Sequence, residues 1–129
     1  MVVTFHTGPI LFDAVRALLA QTVPIEIIIV NNGNPPETEA NLEHLASNHE
    51  HIQLVTGHGN VGFGAGSNLG CRYAASRTVL FLNPDTLIGP GCVAKTVEVL
   101  GSLPERSMVG ADTRNSDGTP QRGARRMLP

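Results

Sequence analysis

Five consecutive residues with strand preferences, Thr78 to Leu82, run directly into Asn83-Pro84-Asp85. The run has no internal polar alternation. A strand of that kind needs cover on both faces, which a parallel sheet between helices provides. Pro84 has no N–H to give a sheet ladder and so ends the strand. Asp85 then falls just past the carboxyl end of a central strand, where open α/β sheets bind their ligands. The competing reading is an acid that only caps or solvates a turn.

The rest of the chain repeats the pattern. Met1 to Phe5 reads as a first buried strand, and after Gly8-Pro9 the segment Ile10 to Gln21 carries Leu11, Val15, Leu18 and Leu19 at helical spacing. Pro24 breaks that helix, and Ile25 to Val30 is a second strand ending in Asn31-Asn32-Gly33-Asn34. For the next helix Asn34 suits the N-cap, Pro35 the first helical position, and Glu37 the N3 place of a capping box. Leu42, Leu45 and Ala46 form its inner stripe up to about His49, and Ile52 to Val55 is a third strand. A glycine-rich segment, Asn60 to Gly70, leads into a helix through Ala75. After Thr78 to Leu82, a helix from Cys92 to about Leu103 turns Val93, Val97 and Leu100 inward. Ser107 to Ala111 reads as a fifth strand, Asn115-Ser116-Asp117-Gly118 as a tight turn, and Thr119 to Arg126 as the return strand.

Strand and helix therefore alternate four times before a hairpin. The expected architecture is a single α/β domain over residues 1–129, with an open, mainly parallel sheet, helices on both faces and right-handed crossovers, ending in a β-hairpin. Its ligand edge gathers His6 and Thr7, Asn31 to Gly33, the glycine segment, and Asn83 to Asp85.

Composition excludes some partners. The net charge of -2 offers no electrostatic footprint for nucleic acid or an acidic membrane. Cys71 and Cys92 lack metal-type spacing and read as reduced structural thiols. No stretch approaches the ~20 apolar residues of a membrane span, and Met1 leads straight into a strand-like run rather than a targeting segment. The expected setting is cytoplasmic, or peripheral at the inner membrane.

The glycine segment is not a dinucleotide fingerprint. In GxGxxG the last glycine comes three residues after the second; from Gly62 and Gly64 that position is Ser67, and from Gly64 and Gly66 it is Leu69. The segment also follows the third strand rather than the first, which disfavours a dehydrogenase domain, and GxxxxGK[ST] is absent. Glycine at 62, 64 and 66, flanked by Asn60 and Asn68, suits close approach of a ligand to the main chain, with an anion at the amides opening the helix. A flexible helix entry is the alternative. His44, His49, His51 and His58 lack carboxylate partners at ligand spacing and do not read as a metal site. Arg122, Arg125 and Arg126 suit either a phosphate or a solvated sheet edge, and Asp117 is accounted for by its turn.

Taken together these residues resemble the amino-terminal, nucleotide-sugar-binding half of a family 2 glycosyltransferase of GT-A fold, in its rhamnosyltransferase-like branch. The resemblance rests on Val3-Thr4-Phe5 with Gln21-Thr22, on Ile28-Ile29-Val30-Asn31-Asn32-Gly33, and on Asn60-x-Gly62-Phe63-Gly64-x-Gly66-x-Asn68-x-Gly70. It continues through Phe81-Leu82-Asn83-Pro84-Asp85 and Asp117-Gly118-Thr119-Pro120-Gln121 to Arg125-Arg126-x-x-Pro129. It implies that Thr4, Phe5 and His6, with Asn31, Asn32 and Gly33, line a nucleoside pocket. Asn60, Gly62, Gly64, Gly66 and Asn68 would pass under the base, ribose and diphosphate of a dTDP- or UDP-type nucleotide-diphospho-sugar donor. Asn83 and Asp85 would stand where the family has its DxD motif, Asp85 holding Mg2+ or Mn2+ on the donor diphosphate.

Three positions depart from the family pattern. Asn31 stands in place of an aspartate, His6 in place of an asparagine, and Asn83 in place of the first acid, which leaves Asp85 as the one evident carboxylate ligand. The family draws its general base and most of its acceptor site, for a saccharide or lipid-linked acceptor, from beyond the position of Pro129. The expectation is thus the donor-binding part of an inverting enzyme, read as a truncated GT-A domain. Homo-oligomerisation through the sheet edge that the missing half would cover goes with it. The alternative is a non-catalytic homologue that retains nucleotide binding or only the fold.

Overall fold

The computed structural model describes residues 1–121. Three parallel strands, β1 (Val2–Thr4), β2 (Ile27–Asn31) and β3 (Ile52–Val55), form a sheet in the order β1-β2-β3. Val3 lies opposite Val30, and Ile29 lies opposite Leu54. All five residues of β2 are buried, as expected of a central strand covered on both faces.

Helices supply that cover. α1 (Ile10–Leu19) and α2 (Pro36–Asn48) lie over one face, where Leu11, Val15, Leu18 and Leu42 join Val2, Ile27 and Ile29 in the larger core. α3 (Phe63–Cys71) lies over the other, where Met1, Val3, Ile28, Val30 and Val55 meet Leu69. α3 reaches the sheet through glycines one turn apart. A Cβ on Gly66 would stand 3.0 Å from Val3 Cγ1, and one on Gly70 would stand 2.1 Å from Met1 Sδ and 2.9 Å from Val30 Cγ2. The expected α/β layering, with helices on both faces of an open parallel sheet, is present.

Several local expectations are corrected. Asn34 does not cap α2; its side chain is committed to Thr4 and Asn31, so Pro35 takes the cap position and Pro36 the first helical one. Glu37 therefore falls one place short of the capping box. The stretch Thr78 to Leu82 is extended but makes only two ladder bonds, Met1 N–H to Leu80 O at 2.7 Å and Leu82 N–H to Met1 O at 3.0 Å. These put Phe81 beside Met1 in parallel register. The next donor in that register would be residue 84, a proline, so the ladder stops. Phe81 is 53% exposed while Leu82 is buried, so this segment is an edge with one covered face rather than a doubly buried strand.

Burial holds the Met1 ammonium pKa below its ordinary value, against the opposing pull of Cys71 and Glu26. α4 (Cys92–Gly101) buries Val93, but Val97 is 51% exposed because little of the described chain covers that face. Gln21 ties α1 to α4: its amide donates to Gly89 O and its carbonyl accepts from Val93 N–H. Ser107 to Ala111 pairs with no described strand. The hairpin turn does form, with Arg114 bridged antiparallel to Pro120 and Asp117 accepting from Thr119, which draws the Asp117 pKa down. The return strand beyond Gln121, Arg122, Arg125, Arg126 and Pro129 lie outside the described residues.

Candidate functional site

The carboxyl ends of β1 and β2 are held together by short polar side chains. Asn31 Oδ1 accepts from Gly33 N–H, Asn34 N–H and Asn34 Nδ2, the last at 2.7 Å, and so shapes the turn that leaves β2. Asn34 Nδ2 also donates to Thr4 O, and Thr4 Oγ1 meets Thr7 Oγ1 at 2.9 Å. Asn31 Nδ2 donates to Thr56 Oγ1, and the Thr56 hydroxyl donates to Glu39. Thr4, Asn31 and Asn34 are buried and would be costly to bury alone, and the mutual bonding offsets that cost. Gly33 sits at φ +104°, a backbone state that side chains rarely adopt, so the turn needs glycine there.

Above this framework lies an open cleft of about 340 Å³, lined by Val3, Phe5, Thr7, Asn32, Asn60, Gly62, Phe63 and Pro84. Phe5 and Phe63 are each at least half exposed, so the cleft presents two aromatic surfaces to solvent. The Phe5 ring meets His6 edge-on with centroids 4.4 Å apart, and His6 itself has φ 49°. A larger hollow of about 500 Å³, among Pro24, Glu26, His51 and Ser76, lies off the amino-terminal ends of β2 and β3. Glu26 there is occupied by the amides of Ala75 and Ser76, which makes it a structural brace.

α3 opens into the cleft. Gly62, at φ 81°, is its N-cap and has no side-chain cap, so the first-turn amides have no side-chain acceptor. Asn60 Oδ1 accepts from Gly62 N–H at 2.9 Å and fixes the approach to the helix. Gly64 has open space where a Cβ would be, as a main chain approached by a ligand would need, whereas Gly66 faces the sheet. Asn68 is exposed on α3 and is not among the residues lining the cleft.

Of the thirteen residues expected at the site, Phe5, Asn32, Asn60 and Gly62 line the cleft. Thr4, Asn31 and Gly33 build the turns beneath it, His6 braces Phe5, and Gly66 packs α3 down. Asn83 and Asp85 are exposed on either side of Pro84, with Asn83 O accepting from Thr86 N–H in a turn. No described residue donates to the Asp85 carboxylate. No group of three or more metal-ligating side chains occurs among the described residues. A single exposed carboxylate, next in sequence to the cleft-lining Pro84, fits a hard divalent ion whose other ligands are substrate phosphate and water, and does not fit a fully protein-bound metal.

Thr7, expected on the ligand edge, also lines the cleft, whereas no site role was expected of Phe63 or His58 individually. Phe63 had a detectable signal, an aromatic inside a glycine run. His58, whose Nε2 lies 3.0 Å from Asn32 Oδ1, had none beyond the glycines on either side of it. The other histidines expected not to bind metal make local contacts, His44 with Asn48 and His49 with Leu45 O. No helix among the described residues is long and apolar enough to cross a membrane.

The minor teichoic acid biosynthesis protein GgaB of Bacillus subtilis (strain 168) is 29% identical over 84 residues, 63% of this chain and 9% of GgaB. The mannosyltransferase PcManGT from Pyrobaculum calidifontis, solved with GDP-Man and Mn2+, superposes with a TM-score of 0.71 at 20% identity. S. aureus TarS 1–349, solved with UDP, superposes with a TM-score of 0.67 at 18% identity. Each superposition covers 78% of this chain and 31% of the other. The chain thus spans under a third of the length of each of these proteins. The structural likenesses establish the GT-A fold. The profile described as Glycosyl transferase family 2 matches residues 1–128, almost the whole sequence, and the chain belongs to that family.

Proposed function

We propose that this chain is the donor-binding part of an inverting glycosyltransferase that holds a dTDP- or UDP-type nucleotide-diphospho-sugar in the cleft over β1 and β2. The observation that carries the reading is the convergence there of two half-exposed phenylalanines, the uncapped amino end of α3, and Pro84 with Asp85 beside it. Phe5 and Phe63 would flank the nucleoside, and the first-turn amides of α3 would take phosphate oxygens. Asp85 would hold Mg2+ or Mn2+ on the diphosphate. When bound, that ion offsets negative charge on the leaving nucleotide.

UDP and GDP-Man in the solved relatives support a nucleotide sugar, and Mn2+ in PcManGT supports the metal. The Asn83-Pro84-Asp85 form supports the narrower reading of a rhamnosyltransferase-like branch. The acceptor would be a saccharide or a lipid-linked saccharide, and no described residue is assigned as its general base. A second reading, a homologue that binds nucleotide or keeps only the fold, is favoured by the single carboxylate.

Calorimetric titration with UDP, dTDP and GDP, with and without Mn2+, separates the two. The donor site predicts Mn2+-dependent heat with UDP or dTDP, weakened about ten- to a hundredfold in Asp85→Ala, the scale of one lost charged contact. No heat from any nucleotide would sink the donor reading in favour of the second.

A further inference from the structure

We infer that His58 is a positioning residue for the nucleotide site, acting through Asn32 on the first turn of α3. The inference rests on the donor reading of the cleft and adds a residue to it. His58 lies in the loop between β3 and α3, between Gly57 at φ +86° and Gly59 at φ +67°. Both glycines hold a backbone state that side chains rarely adopt, and the His58 side chain between them is half-buried. Its Nε2 reaches Asn32 Oδ1 at 3.0 Å.

The other half of the Asn32 amide fixes the proton positions. Asn32 Nδ2 donates to Gly62 O at 3.1 Å, so Oδ1 is the acceptor and His58 Nε2 must be the donor. Gly62 O also receives Gly66 N–H at 2.9 Å, the bond that starts α3. A continuous relay therefore runs from His58 through Asn32 to the carbonyl that seats the helix. Asn32 is 2% exposed and is wedged beneath Gly66, where a Cβ would stand 3.1 Å from its Nδ2. Another rotamer would give up its bonds to Gly62 O and His58 Nε2.

The imidazole carries a cost. With Nε2 protonated, Nδ1 is a buried acceptor with no partner among the described residues. A residue chosen only for stability would not leave that group unsatisfied. The arrangement makes sense if the orientation of Asn32, and hence of Gly62 and the α3 amides at the cleft, is what matters. Holding those donors in place before the nucleotide arrives removes an ordering cost from binding.

The test compares His58→Ala and His58→Gln in this chain, titrating UDP with Mn2+ and following exchange of the Gly66 amide by NMR. Gln retains an N–H donor near the Nε2 position, so it should bind as the unaltered chain does. Ala should bind about tenfold more weakly, the scale of one neutral hydrogen bond, with faster Gly66 exchange. Equal UDP affinity in His58→Ala overturns the proposal alone. Equal weakening in Gln and Ala overturns the hydrogen-bond account. No heat from the unaltered chain overturns the donor reading and this proposal with it.

Discussion

Asn31 divides its amide between two tasks, and its identity follows from both. One oxygen serves three N–H donors in the β2 turn, which a carboxylate would serve as well. The nitrogen donates to Thr56 Oγ1, whose own proton goes to Glu39. An aspartate here would face a hydroxyl with no proton left to give and a second carboxylate behind it. Asn31→Asp should therefore destabilise the fold by about 1 kcal/mol. The penalty should shrink in a Glu39→Gln background, with a coupling of about 0.5 kcal/mol or more by urea denaturation. Strictly additive effects would mean that Glu39 does not select the amide. The family resemblance marked position 31 as a departure, but one-dimensional order could not show that its partner lies at Glu39 across Thr56. The polar ends of the strands were legible as a cluster; who bonds whom was not.

α3 shows how one glycine-rich element serves two surfaces. Gly62, Gly64, Gly66 and Gly70 look alike in sequence, yet only Gly66 and Gly70 face the sheet. Gly70→Ala should cost about 1–3 kcal/mol, because its Cβ meets buried Met1 and Val30 and overpacking outweighs the ~1 kcal/mol gain in helix propensity. Gly64→Ala, with nothing within 4 Å, should instead stabilise by up to about 1 kcal/mol. Chemical denaturation midpoints that move the same way in both variants would contradict this division. The element itself was readable from its glycines and the helix that follows them. Which glycine faces ligand and which faces sheet depends on the helix rotation, which the sheet sets. The expected cap of α2 failed for a related reason: Asn34 has the right chemistry for a cap, but Thr4 and Asn31 compete for it and win.

At the scale of the whole molecule, Leu80 to Leu82 forms an edge of the sheet with one face covered. Leu82 packs into the core, but the backbone bonds to the sheet run through Met1 alone among the described residues, the edge's remaining backbone groups have no described strand partner, and Phe81 is half-exposed. Unprotected edges of this kind pair with other chains. This chain should self-associate with increasing concentration in sedimentation equilibrium, and Phe81→Lys should shift it toward monomer. A clean monomer for the unaltered chain across a wide concentration range would count against the edge as an association surface.

The apolar runs by themselves determined three parallel strands, the helices between them, the two covered faces and the sheet end where a site belongs, because burial on both sides of a strand demands an unbroken run. The same residues also carried the family, since order and spacing are properties of sequence. Only the tertiary structure decided that Thr78 to Leu82 is a thinly paired edge, that Asn34 ties strands instead of capping a helix, and that His58 reaches Asn32. Each of those outcomes is a competition for a hydrogen bond or for covered surface between groups distant in the chain. Folding settles such competitions by proximity, which a linear pattern does not contain.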